Sequence, residues 1–417
     1  MKKTISFIAI CMLALGSVWA CNKQDPENNV EDPDNPETVE DNPYEPVILT
    51  KAEQEINNAS NQFGFDVYHK VYAGNNILIS PLSLSLALSM ATNGAEGRTA
   101  EEMLSTLGFA GQAKDDMNSY YQKMISALLE ADPKTTFEVA NSIWANESIG
   151  IKKTFTDVTK KYFSSEVYPA DFSEQATVDR INKWCSDKTH GKIPTIMDAP
   201  NPDLVMALVN ALYFKGTWAF DFDDKIKKED FTTLKGSKSK VEMMTAKLNA
   251  YAECDGFSMV SLPYGNRTFR MDIILPSKDE DFAKAIARFD ASTYQSLCRT
   301  MAEANVNLKL PKFTFDYNTT LTDVLMELGM SLAFSDSADF SAMAEKALKI
   351  SMVKQKTFID VNEKGTEAAA VTYIGMATTA FRPEEPRTVD FFADRPFLFT
   401  IRENSTGAVL FIGQKVN

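Results

Sequence analysis

The chain has 417 residues, 44% of them hydrophobic and 11% aromatic, enough for a substantial core in one large domain or two smaller ones. Lys and Arg number 43 against 57 Asp and Glu, a formal net charge of -14 at pH 7. An acidic chain without basic blocks is a poor match for nucleic acid or an anionic lipid surface.

Lys2 and Lys3 open the chain, Ile5 to Leu15 is an apolar run, and Val18-Trp19-Ala20 precedes Cys21. A run this short, with these flanks, reads as a secretion signal over residues 1–20 and not a membrane span. Cys21 directly after Ala20 resembles a bacterial lipoprotein box, which makes Cys21 the expected acylated first residue of the mature chain. An ordinary signal peptide with a chance Cys is the alternative. Residues 21–47 hold nine acids, several prolines and almost no aliphatic residues. Such a segment cannot offset its ordering entropy and is expected to be an extended tether to the lipid anchor. With Cys21 lipidated, Cys185, Cys254 and Cys298 remain, an odd set with no metal-type spacing, expected to be buried, unreactive thiols.

From about Ile48 the composition becomes globular. Residues 52–72 carry Ile56, Phe63, Phe65, Val67 and Val71 at helical spacing. Ile77-Leu78-Ile79 predicts a short strand, and Ser80-Pro81 a helix start with Ser80 as N-cap. Residues 101–130 read as largely helical, 135–146 as a strand, and 178–193 as a helix ended by Gly191. The nearly continuous apolar run 203–218 predicts a strand buried on both faces. Residues 257–265 and 269–276 are two strands around a turn at Gly265-Asn266. Residues 306–318 read as one strand whose internal Pro311 points to an edge or bulge. A helix over 321–330 ends at Gly329, and strands at 357–365, 395–403 and 408–416 complete the set. The simplest organisation is one α+β domain over 48–417.

The sequence offers no recognised catalytic motif: no GxSxG, HExxH, GxGxxG or GxxxxGK[ST] pattern is present. Of the two histidines, His69 lies on a predicted helix face and His190 at a helix end, both suited to packing or capping. No metal or cofactor is expected. An unrecognised lipoprotein hydrolase is the remaining enzymatic alternative.

The folded part strongly resembles the serpin family. The resemblance is carried by Asn76 to Ser83, Asn182 with Thr189-His190-Gly191-Lys192-Ile193, and Leu208 to Trp218. It continues through Leu262-Pro263-Tyr264-Gly265, Leu310-Pro311-Lys312-Phe313, Asn362 to Ala370, Asp394-Arg395-Pro396-Phe397 and Phe411-Ile412-Gly413. It implies an α+β serpin fold: helices on a large central mixed sheet, two further sheets, and a reactive-centre loop at about 363–390. A protease cuts that loop, and the part before the cut joins the main sheet as a new strand, a known instance of strand addition and strain release.

The loop residues make physical sense of that expectation. An inserting strand needs every backbone N–H, and residues 365–382 contain no proline. Gly365 supplies a hinge, and Thr366, Ala368 and Ala370 put small side chains on one face. About fifteen residues at about 3.3 Å each would carry an attached protease on the order of 50 Å. The hinge Glu363, Gly365, Thr366, Glu367, Ala368, Ala369, Ala370 resembles the inhibitory pattern, whereas non-inhibitory members commonly carry bulky, charged or proline residues there.

Counting from the hinge glycine as the family does, the reactive bond is Thr379–Ala380, suited to an elastase-like pocket. Alternatives are Met376, Phe381 and Arg382, although Pro383 opposes cleavage after Arg382. Gln355 stands where the family usually has a histidine, with Ser80, Ser83 and Asn210 as implied partners under the opening of the sheet. Trp218 belongs to the same implied gate region of the sheet. The resemblance thus implies an irreversible inhibitor, a target serine protease as covalent partner, and a monomer. With the lipid anchor, it implies an envelope or cell-surface location. A non-inhibitory surface binding module is the runner-up.

Overall fold

The computed structural model describes residues 43–366 and 386–417. The described residues all fall in one compact unit, Asn42–Asn417. The first half runs α1 (Lys51–Val71), β1 (Ile77–Ile79), α2 (Pro81–Thr92), α3 (Gly97–Thr106), α4 (Lys114–Glu130), β2 (Thr135–Asn146), α5 (Lys153–Phe163), β3 (Glu166–Ala170), α6 (Gln175–Lys188) and β4 (Met206–Thr217). Next come β5 (Lys227–Thr232), β6 (Lys238–Cys254), β7 (Phe257–Pro263), β8 (Phe269–Pro276), α7 (Phe282–Arg288), α8 (Ala291–Thr300), β9 (Ala302–Pro311), β10 (Phe313–Thr320) and α9 (Thr322–Glu327). The chain closes with β11 (Met352–Asn362), β12 (Gly365–Thr366), β13 (Thr388–Phe392), β14 (Phe397–Glu403) and β15 (Val409–Lys415).

Local chemistry explains the main boundaries. A Thr50–Glu53 capping box starts α1, whose Ile56, Phe63, Phe65 and Val67 are buried. Ser80 caps α2 by accepting from the Ser83 N–H, and Pro81 fills the first helical position. The stretch 101–130, read as largely helical, is built as two helices. Gly108, at φ 76, turns the chain so that Phe109 enters the core between α3 and α4. The expected single strand over 306–318 is two strands. Pro311 ends β9, Lys312 N–H bonds the Glu242 carbonyl, and β10 crosses into the other sheet. The proline marks a change of sheet because it has no N–H with which to continue the ladder.

Two sheets enclose the core. The six-stranded mixed sheet has the order β10-β11-β12-β4-β2-β3, with β11 and β4 also paired directly. The nine-stranded sheet runs β1-β15-β14-β8-β7-β6-β9-β13, with β5 on β6. It joins the two further sheets through β6, whose first part pairs with β5 and β9 and whose last residues pair with β7. Every residue of α2 is buried, because the helix packs on β15 on one side and on β2 and β4 on the other. This places Ser80 and Ser83 beneath the middle of the six-stranded sheet.

Candidate functional site

The strands β4 and β11 define the site. They pair in parallel only from Met352–Ala207 to Lys356–Ala211. Beyond that point, among the described residues, no pairing joins them until the two-residue β12 enters the far end. There Thr366 lies opposite Val361 on β11 and Gly216 on β4, and Gly365 opposite Asn362 and Thr217. Residues 357–360 and 212–215 thus flank a stretch of sheet that is closed at both ends and unpaired between. Below Thr366 is an apolar recess lined by Leu78, Phe214, Ile359, Ile401 and Phe411, with no room for a water molecule.

The near end is held by buried amides. Gln355 Oε1 accepts from Ser80 N–H at 2.9 Å, and its Nε2 donates to the Ser80 carbonyl at 3.1 Å and Asn210 Oδ1 at 2.9 Å. Asn210 Nδ2 in turn donates to Ser83 Oγ and Asn141 Oδ1. Gln355 reaches Ser83 only through Asn210, so the implied partner set is connected as a chain. Gln355 is 1% exposed, and its three bonds bind β11 to the start of α2 and to β4. None of these groups changes charge near neutral pH.

The far end is held by aromatics and an ion pair. Trp218 N–H bonds the Lys364 carbonyl at 3.2 Å, and its indole Nε1 bonds the Asn362 carbonyl at 2.9 Å. Its ring stacks on Tyr264 at 4.3 Å, and the Tyr264 hydroxyl meets Thr366 Oγ1 at 2.6 Å. Burial pushes the Tyr264 phenol far above its usual range, so the hydroxyl is a fixed neutral partner. A Cβ on Gly216 would sit 2.9 Å from the Tyr264 ring, so glycine there lets the ring lie beside β12. Gly365 has φ 150, a conformation that a side chain would strain. Glu363 forms a 2.6 Å ion pair with Lys312, whose ammonium holds the carboxyl below its ordinary value.

The structure thus brings together Ser80, Ser83, Asn210 and Gln355 at one end and Trp218, Glu363, Gly365 and Thr366 at the other. Glu367, Ala368, Ala369, Ala370, Met376, Thr379, Ala380, Phe381, Arg382 and Cys21 lie outside the described residues. Sequence reasoning missed the roles of Tyr264, Lys312, Asn141 and Asn362. Tyr264 and Lys312 stood in quoted motifs, and Asn141 was legible as a lone amide in an apolar strand.

The remaining chemistry is quiet. His69 Nε2 lies 2.9 Å from the Phe289 carbonyl, and His190, at φ 50, lies 3.1 Å from Glu138. Cys185, Cys254 and Cys298 are free thiols, but only Cys185 is fully buried; Cys254 and Cys298 are partly exposed, against the expectation of three buried thiols. Burial raises Cys185 to about 12 and Cys298 to about 11, which keeps both protonated and inert. Among the described residues there is no cluster suited to a metal, and no helix is long and apolar enough to cross a membrane.

Comparison with known proteins agrees with this geometry. Residues 58–417 match the family model described as Serpin (serine protease inhibitor). The chain is 36% identical to Serpin-Z2A of Triticum aestivum over 82% of this chain and 90% of that one. It is 33% identical to Iripin-8 of Ixodes ricinus over 88% and 94%. Among solved structures, the native thermophilic serpin Tengpin superposes with TM-score 0.80 at 32% identity, covering 90% of this chain and 97% of that one. Human thyroxine-binding globulin complexed with thyroxine also reaches 0.80, at 27% identity over 88% and 99%.

Proposed function

The chain belongs to the serpin family, a family of protease inhibitors and not of enzymes, and on that premise we propose that it is an irreversible suicide inhibitor of serine proteases. The observation that carries the reading is the position of β12. The hinge already contributes two residues to the sheet, paired on both sides, where they close the far end of the unpaired stretch. Once the loop is cut, the chain beyond Thr366 is free to extend β12 in the same antiparallel register. Extended residue by residue, that register brings Thr372 between Gln355 and Asn210, which already face each other. The five direct β4–β11 pairs then give way to two full ladders, so the inserted state gains backbone hydrogen bonds.

The chemistry is shared with the target. The protease serine attacks the Thr379 carbonyl, the Thr379–Ala380 amide breaks, and the Ala380 amine leaves with the proton from the protease's own base. The Thr379 acyl group stays esterified to the protease. Insertion then drags the protease away before water can hydrolyse the ester. The uncut state persists kinetically, because insertion requires a free loop end. Thr379 points to an elastase-like target. Acylation at Cys21 would tether the inhibitor, as a monomer, to the cell envelope.

The test mixes the mature chain with elastase, trypsin, chymotrypsin and subtilisin. The readouts are denaturing gels and the mass of the released C-terminal peptide. A gel-stable covalent complex and a peptide beginning at Ala380 are expected. Cleavage without a complex, and without a gain in heat stability, would instead make the protein a non-inhibitory surface module. Replacement of Cys21 by Ser should release the chain from membranes. Retention of that variant in the membrane fraction would sink the anchor assignment.

A further inference from the structure

A second cavity lies behind the Trp218–Tyr264 stack. It has a volume of about 620 Å³ and is bounded by the chain after β4, the middle of β6, the β7–β8 turn and the ends of α8 and β14. Its walls include Lys247, Arg267, Arg270 and Arg402, and among the described residues no Asp or Glu lines it. On a chain with net charge -14, this is a local reversal of sign.

The four cations are not equivalent. Arg402 is already compensated by buried Asp272, at 2.7 Å. Arg270 donates only to the neutral Ser261 hydroxyl at 3.2 Å, and Lys247 to the Asn307 amide oxygen. Among the described residues, none of Lys247, Arg267 and Arg270 forms an ion pair with a carboxylate; Lys247 and Arg267 are exposed, and Arg270 feels Asp272 only through the field. Arg270 is half-buried, and burial followed by repulsion from Arg402 outweighs the attraction of Asp272 and holds its guanidinium below the ordinary value. Arg267 occupies φ 77, a strained conformation for a side chain of this size, fixed by a 2.6 Å bond from its N–H to the Tyr264 carbonyl. At Asn249 the β6–β9 register shifts, which bends the strand around the cavity. The remaining wall is apolar, from Phe220, Leu248, Pro263 and Met301. A cavity of this size with convergent like charges and one greasy wall fits a small organic ligand better than bare solvent.

We propose that this cavity binds a small organic oxyanion, a phosphate or sulfate ester. Its charged head is held by Lys247, Arg267 and Arg270, and its apolar body lies on Phe220, Leu248 and Met301. Guanidinium forks match tetrahedral oxyanions, and an anion there relieves the repulsion within the cluster. The proposal does not depend on protease inhibition.

The test is calorimetric titration of the mature chain with phenyl phosphate, phenyl sulfate and inorganic phosphate. At least one phenyl ester should bind saturably with one site, and whichever binds more tightly identifies the headgroup class. Arg267→Asn, which tolerates the same backbone angles, and Lys247→Ala should each weaken binding at least fivefold. Lys160→Ala, an exposed lysine on α5, should leave it unchanged. Thermal melts of the variants check that they fold. No saturable binding of either ester, or binding unaffected by both cavity variants, would overturn the site. Inorganic phosphate binding as tightly as the phenyl esters would overturn the apolar half of the assignment.

Discussion

The two ends of the unpaired stretch between β4 and β11 are closed by different chemistry. At the α2 end, Gln355, Asn210 and Ser80 form a buried, neutral amide network. At the hinge end, Thr366 is held by Tyr264, Trp218 stacks beside it, and Glu363 pairs with Lys312 on the half-exposed rim. The first closure is stiff and indifferent to pH. The second is built from side-chain contacts around a two-residue strand, so it can be extended without dismantling the core. Insertion therefore has a start that is already made and an end that must be opened.

Breaking the start should have the largest effect. Thr366→Arg puts a guanidinium where the side chain is 2% exposed. Burying it unpaired costs about 3 kcal/mol or more, enough to slow insertion roughly a hundredfold. The variant should be cut as a substrate and form almost no gel-stable complex. Wild-type yields of complex would refute insertion from β12.

Breaking the far end should cost stability first. Gln355→Ala leaves the Ser80 N–H and carbonyl and Asn210 without their partner, at about 3 kcal/mol, measurable by chemical denaturation. Gln355→His sharpens the contrast. A neutral imidazole offers one acceptor and one donor, so it can still accept from the Ser80 N–H; an imidazolium cannot. Its folded pKa should therefore be depressed, and the variant should lose about 1–2 kcal/mol as the pH falls from 8 to 5, while the wild-type network stays flat. A variant with the same pH profile as wild type would contradict the geometry.

Two milder changes probe the hinge end. Trp218→Phe keeps the stacking but loses the indole bond to Asn362, about 1 kcal/mol. It should raise the rate of spontaneous loop cleavage by a non-target protease. Glu363→Gln removes an ion pair that is about one-third exposed, so screening limits its worth to about 0.5 kcal/mol. Because Lys312 lowers the folded pKa of Glu363, this contribution is present above pH 4.5 and disappears as the pH falls through the lowered value. Wild type and variant should then converge in acid. A constant difference down to pH 3 would assign the effect to packing.

Much of this frame was legible in the linear chain because it rests on local rules. Ser80-Pro81 marks a helix start wherever it lies. The unbroken apolar run in β4 demands burial on both faces, and the proline-free hinge with alternating small residues suits a strand-to-be. The breaks at Gly108 and Pro311 were visible as residues, but their consequences were not. Whether a glycine merely interrupts a helix, or a proline sends the chain into another sheet, depends on which partner strand is within reach.

What the sequence by itself determined is the order of elements, the hinge and the family, since propensity, periodicity and motif spacing act over a few residues. Only the tertiary structure decided that β4 and β11 part after five pairs and that β12 already occupies their far end. It alone placed Lys312 beside Glu363 and gathered Lys247, Arg267 and Arg270 around one cavity. These contacts join residues tens to hundreds of positions apart, and no local rule selects such partners. They are fixed when the two sheets close on α2.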